Sequence, residues 1–122
     1  MRQRTLVVFA FALLLLCFPS SSSAYSVLAP EALIDNPWAK QIVPLLTRRF
    51  PRASKDELRD ARAYAYGGSL IQDLGYYPFG SHFFSNLLHY VRSGDFIEAL
   101  VRDAADVDEY AFALGALAHY TN

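Results

Sequence analysis

The chain has 122 residues, with 11 basic and 12 acidic side chains, three histidines, one cysteine and a net charge of −1. A single cysteine excludes an internal disulfide framework. No basic patch interleaves with aromatics, so stable nucleic-acid binding is not expected.

Met1, Arg2 and Arg4 open the chain with a basic stretch, Thr5 to Phe18 is a nearly unbroken apolar run, and Pro19 with Ser20 to Ser23 leads to Ala24. This is the pattern of a secretory signal peptide over residues 1–24, with Ser22 and Ala24 as the small residues before a cut at Tyr25. The apolar run of about 14 residues is shorter than the roughly 20 of a spanning helix, so no transmembrane anchor is expected. Cys17, between Leu16 and Phe18, lacks the small neighbours of a lipid-modified cysteine. The expected product is exported, periplasmic or extracellular, and cysteine-free. Its 9 basic and 12 acidic residues give a net charge near −3. Residues 25–122 form one small domain, burying only about two thirds of its unfolded surface.

The rest reads as helices with no period-two alternation, an all-α fold. A short helical turn is expected over Pro30 to Asp35. Asn36-Pro37 combines a capping residue with proline at the first helical position, opening a helix to about Phe50 that Pro44 bends and Pro51 ends. Ser54-Lys55-Asp56-Glu57 is a capping box that starts the longest helix, carried to about Leu74. Gly75-Tyr76-Tyr77-Pro78-Phe79-Gly80 is the clearest loop. Helices follow at about Ser81 to Arg92, Asp95 to Asp103 and Val107 to Thr121, with Asp95–Glu98 and Asp106–Glu109 repeating the capping logic.

Spacing sorts the polar residues. His82, Asn86 and His89 share a stripe, but His82 and His89 are two turns, roughly 10 Å, apart and cannot bind one ion without breaking the helix. Asp108, Phe112, Gly115 and His119 share a stripe on the last helix, where Gly115 leaves room for something to approach His119. Tyr66, Ser69 and Asp73 share another. From spacing alone, a lone histidine on an alanine-rich helix is more often a packing residue than a ligand. Tyr76, Tyr77, Phe79, Phe83 and Phe84 read most economically as hydrophobic core.

Taken together, the segment Ala63-Tyr64-Ala65-Tyr66-Gly67-Gly68-Ser69-Leu70-Ile71-Gln72-Asp73-Leu74-Gly75-Tyr76-Tyr77-Pro78-Phe79-Gly80, then Leu88-His89-Tyr90, then Phe112-Ala113-Leu114-Gly115-Ala116-Leu117-Ala118-His119-Tyr120, resembles the amino-terminal portion of the bacterial zinc-dependent phospholipase C family. That family shares its helical fold and its site of up to three zinc ions with the single-strand-specific zinc nucleases. The resemblance implies that Asp73 and His119 ligate one zinc. His89 fits the intervening histidine better than His82, and the processed amino terminus, here Tyr25, supplies an α-amine ligand. The implied chemistry is hydrolysis of phospholipid or other phosphodiesters by zinc-activated water.

Two departures go with it. Pro30 stands where the family has a histidine five residues after the amino-terminal ligand, and the aspartate and histidines that follow the position of His119 lie past Asn122. The expectation is therefore a carboxy-terminally truncated domain with at most one zinc and impaired catalysis, its helix faces left open to association. The contrasting expectation is a non-catalytic helical interaction protein or an inactive gene fragment.

Overall fold

A computed structural model of the chain describes residues 31–121. The leader expected over residues 1–24, Tyr25 and Pro30 lie outside the described residues. Within them every regular element is helical, and none is long and apolar enough to cross a membrane.

Residues 31–35 form the expected helical turn. The chain then runs into a wide π-helical turn, Trp38–Ile42, which continues as α1, Val43–Arg49. Pro44 explains the widening. A proline lacks the N–H of the normal ladder and its ring clashes with the carbonyl one turn back. The helix relaxes by letting the Val43 N–H reach Trp38 O instead. The Asn36 cap is not formed, because Asn36 donates its own N–H to Ala32 O at 3.2 Å and the turn starts at Pro37 without a side-chain cap.

The capping box forms as expected. The Glu57 N–H donates to Ser54 Oγ at 3.2 Å and the Ser54 N–H donates to Glu57 Oε2 at 2.7 Å. It starts α2, Lys55–Leu70. The α-helix then tightens into a 3₁₀ segment, Ile71–Tyr76, four residues short of the expected Leu74 boundary. Asp73 and Gly75 therefore sit on a narrower helix, with Gly75 buried. A Cβ on Gly75 would fall 2.1 Å from Ser81 O, so only glycine lets the chain return this closely.

Ser81 caps α3, His82–Asn86, by accepting from the Phe84 N–H. A second π-helical turn, Leu87–Val91, follows and closes with the Arg92 N–H on Leu87 O at 2.8 Å. Next comes α4, Ser93–Asp103. The expected Asp95–Glu98 cap is absent. The helix starts two residues earlier, and Asp95 accepts from Arg92 at 2.6 Å. The last helix, α5, spans Val107–Tyr120, capped by Asp106, which accepts from the Glu109 N–H at 2.9 Å.

The core lies where α2 and α5 cross, with Ile34, Ile42, Leu46, Ala61, Ala65, Ala111 and Leu114 packed together. The residues at the crossing are small, so the backbones meet. A Cβ on Gly68 would lie 1.9 Å from Phe112 O, and one on Gly115 would lie 1.9 Å from Ala65 O. Gln72, buried, donates to Ala116 O at 2.9 Å and ties the end of α2 to α5. What Gly115 admits is the α2 backbone itself.

The aromatic loop departs from the expectation of core. Phe79 is fully exposed, Phe83 is 76% exposed, Tyr76 and Tyr77 are about two-fifths exposed, and Phe84 alone of the five is half-buried. The tightened turn and the Gly75–Ser81 contact fold this stretch back on itself, away from the α2–α5 crossing. At Gly68 and Gly115 the two backbones touch, which leaves no room between them for further large rings.

Candidate metal centre

Three elements meet at one point. Asp73 comes from the 3₁₀ extension of α2, His89 from the π-helical turn after α3, and His119 from the last turn of α5. Asp73 Oδ1 is 3.2 Å from His89 Nε2 and 3.8 Å from His119 Nε2, and the two Nε2 atoms are 3.3 Å apart. Among the described residues these three form a group of carboxylate and imidazole donors close enough to share a metal ion. Their side chains are 33%, 23% and 16% exposed, so the group is sheltered but not sealed from solvent.

The other imidazole nitrogens determine what the group can do. His89 Nδ1 is 2.8 Å from Ser85 O, and His119 Nδ1 is 2.8 Å from Ser69 O. A carbonyl can only accept, so both Nδ1 atoms carry the proton and a neutral ring presents a bare Nε2 lone pair. Two lone pairs and a carboxylate oxygen then converge with no donor among them, an arrangement that a cation relieves. A tetrahedral zinc with bonds of about 2.0–2.1 Å spaces its ligand atoms by roughly 3.3–3.4 Å, which the observed separations bracket. The donor chemistry and spacing fit zinc. Backbone carbonyls orienting ligand histidines are the usual outer support of such sites.

That support is itself anchored. Ser85 is fully buried, and its hydroxyl accepts the Gly75 N–H at 2.9 Å, joining α3 to the turn that carries Asp73. The Ser93 hydroxyl donates to His89 O at 3.0 Å. Tyr76 lies beside the His89 ring, centroids 5.7 Å apart, and donates its hydroxyl to Asn86 at 2.8 Å. Burial of that hydroxyl, then Tyr90 and Asp73, pushes its pKa above the ordinary phenol range, so it stays neutral beside the donors.

The family model for zinc dependent phospholipase C matches residues 33–121. The chain belongs to the zinc-dependent phospholipase C family. No curated protein and no solved structure matches it. The family's name carries zinc, and the matched span holds all three donors.

Of the residues singled out in the sequence, Asp73, His89 and His119 come together and His82 does not. His82 is exposed and sits edge-on to Tyr76, centroids 5.7 Å apart. Tyr66, on the Asp73 stripe, turns the other way and donates to Asp35. Tyr25 lies outside the described residues. The supporting carbonyls of Ser69 and Ser85 carry no signal in sequence, since every residue has a carbonyl.

Proposed function

We propose that this protein is an exported phosphodiesterase of the phospholipase C type, holding a zinc ion with Asp73, His89 and His119. The observation that carries the reading is the pair of Nδ1–H bonds to Ser85 O and Ser69 O, which leaves both Nε2 atoms bare and facing Asp73. The basic, apolar and small-residue pattern of residues 1–24 supports export.

Zinc bound at these donors supplies a Lewis acid that makes water nucleophilic near neutral pH and polarises a phosphoryl oxygen. The chain's residues hold and aim it. Asp73 offsets positive charge, the two imidazoles stay in one tautomer through their carbonyls, and Tyr76 walls one side of His89 without ionising. The donors' partial exposure leaves the group within reach of a phosphodiester. Three protein donors with a free position are the usual make-up of a catalytic zinc site.

Zinc content after exhaustive dialysis, read by elemental mass spectrometry, tests the reading. About one zinc per chain is expected. Asp73→Asn, His89→Ala and His119→Ala should each weaken binding by more than the roughly 10–100-fold that loss of an outer partner costs. Hydrolysis of a chromogenic phosphodiester should fall in parallel. Three variants that hold zinc as tightly as the parent overturn the site.

A further inference from the structure

Two buried residues flank Asp73, and each is pinned to an element that carries one of the histidines. A 3₁₀ helix has three residues per turn, so positions three apart lie on one side of it. Gln72 and Gly75 are three apart, and they are the two buried residues of the Ile71–Tyr76 segment. The Gly75 N–H donates to Ser85 Oγ at 2.9 Å, and Ser85 O in turn accepts from His89 Nδ1 at 2.8 Å. Gln72 Nε2 donates to Ala116 O at 2.9 Å, on α5 three residues before His119. Asp73 lies between the two pins, the first tying it toward His89 and the second toward His119.

Packing alone does not account for an amide at position 72. The residue is 3% exposed, and among the described residues its Oε1 is buried without a hydrogen-bond partner. An unpaired buried acceptor destabilises the fold. Ala116 O does not depend on Gln72 for a partner, because a carbonyl has two lone pairs and inside a helix one of them serves the ladder. An unbranched apolar side chain of similar length would therefore fill the place with no loss of stability. What it lacks is a directional bond across the gap between the Ile71–Tyr76 segment and α5.

We infer that Gln72 is a positioning residue, whose bond to Ala116 O sets how far Asp73 stands from His119. Its consequence for metal binding rests on the zinc reading above; the placement itself does not. The two contacts of Asp73 Oδ1 are unequal, 3.2 Å to His89 Nε2 and 3.8 Å to His119 Nε2. The longer one spans the gap that Gln72 bridges, so it is the one that slackens when the bridge is lost. The Gly75–Ser85 bond keeps the shorter one in place.

The test is Gln72→Met, which keeps the length of the side chain and removes the donor together with the unpaired acceptor, with Gln72→Leu as a second variant. Thermal melting of the metal-free variants should match or exceed that of the parent. Crystal structures of the metal-free proteins should show the Asp73–His119 separation lengthened in Gln72→Met, with the Asp73–His89 separation unchanged. Zinc affinity, read by competition with a chromophoric chelator, should fall about tenfold, the lower end of the range for loss of an outer partner. The visible absorption of the cobalt(II)-substituted protein should shift as the ligand geometry changes. Melting far below the parent in both variants makes Gln72 a stability residue and overturns the inference. An unchanged Asp73–His119 separation overturns it whether or not zinc binds. Equal zinc affinity and identical cobalt spectra in parent and variant overturn its consequence for the metal. A parent that holds no zinc sinks the metal reading alone, because the metal-free structures still decide the placement.

Discussion

The α2–α5 crossing and the Leu74–Val91 segment place the same three donors by opposite means. At the crossing, Gly68 and Gly115 let two backbones touch, and His119 is located by close packing. In the segment, large side chains stay in solvent, and His89 is located by hydrogen bonds through Ser85 and Ser93. Asp73 sits where the two meet. Half of the donor group therefore rests on shape and half on a few polar contacts, and the two halves should fail differently.

The largest expected effect is at the crossing. Gly115→Ala and Gly68→Ala each place a Cβ 1.9 Å from a backbone oxygen of the facing helix, which only separation of the helices relieves. Overpacking of this kind costs about 1–3 kcal/mol or more, so Tm should fall by roughly 10 °C or more in a thermal melt followed by circular dichroism. The neighbouring Gly67→Ala is the matched contrast. Its Cβ would meet the Phe112 ring at an ordinary 3.6 Å, and better helix propensity should raise Tm slightly. Equal effects at Gly67 and Gly68 would remove the close approach as the basis of the crossing.

The polar half should yield less stability and more zinc affinity. Ser85→Ala leaves the buried Gly75 N–H without its acceptor, a loss of about 1–3 kcal/mol by urea denaturation. Zinc affinity should drop with it, because the Ser85 backbone aims His89. Unchanged zinc affinity in a folded Ser85→Ala sample would show that the Ser85 carbonyl stays in place for His89 without the hydroxyl's bond to Gly75.

A smaller, pH-dependent effect belongs to the start of the fold. The Tyr66 hydroxyl and then the Arg62 guanidinium, 2.6 Å from Asp35 Oδ1, hold the Asp35 carboxyl below the usual aspartate range. A lowered folded-state pKa contributes stability that is complete above the unfolded value of about 3.9 and is lost as pH falls through the folded one. Asp35→Asn should therefore melt below the parent at pH 7, and the gap should close in acid below about pH 4. A gap that persists at pH 2 would assign the effect to shape rather than charge.

Much of this was legible along the chain. The capping box at Ser54 and the side-chain cap at Asp106 mark helix starts because their bonds span three residues, and local spacing is what a sequence records. Pro44 announced a disturbance, though not that it would widen the turn before it. The Asn36 and Asp95 caps misled for one reason: a capping residue offers an acceptor, but whether the chain already continues as helix through it depends on neighbours farther away. The aromatic loop misled because hydrophobicity says what gains from burial, not whether space exists.

By itself the sequence determined an all-helical chain, where most of its helices start, and, through resemblance, Asp73, His89 and His119 as candidate donors. Only the tertiary structure decided that they converge, that His82 is left out, and that both imidazoles turn a bare Nε2 inward. The reason is that donors 16 and 30 residues apart meet only when α2 and α5 touch at glycine and the chain folds back at Gly75. Their tautomers, in turn, are set by carbonyls that no side-chain pattern reveals.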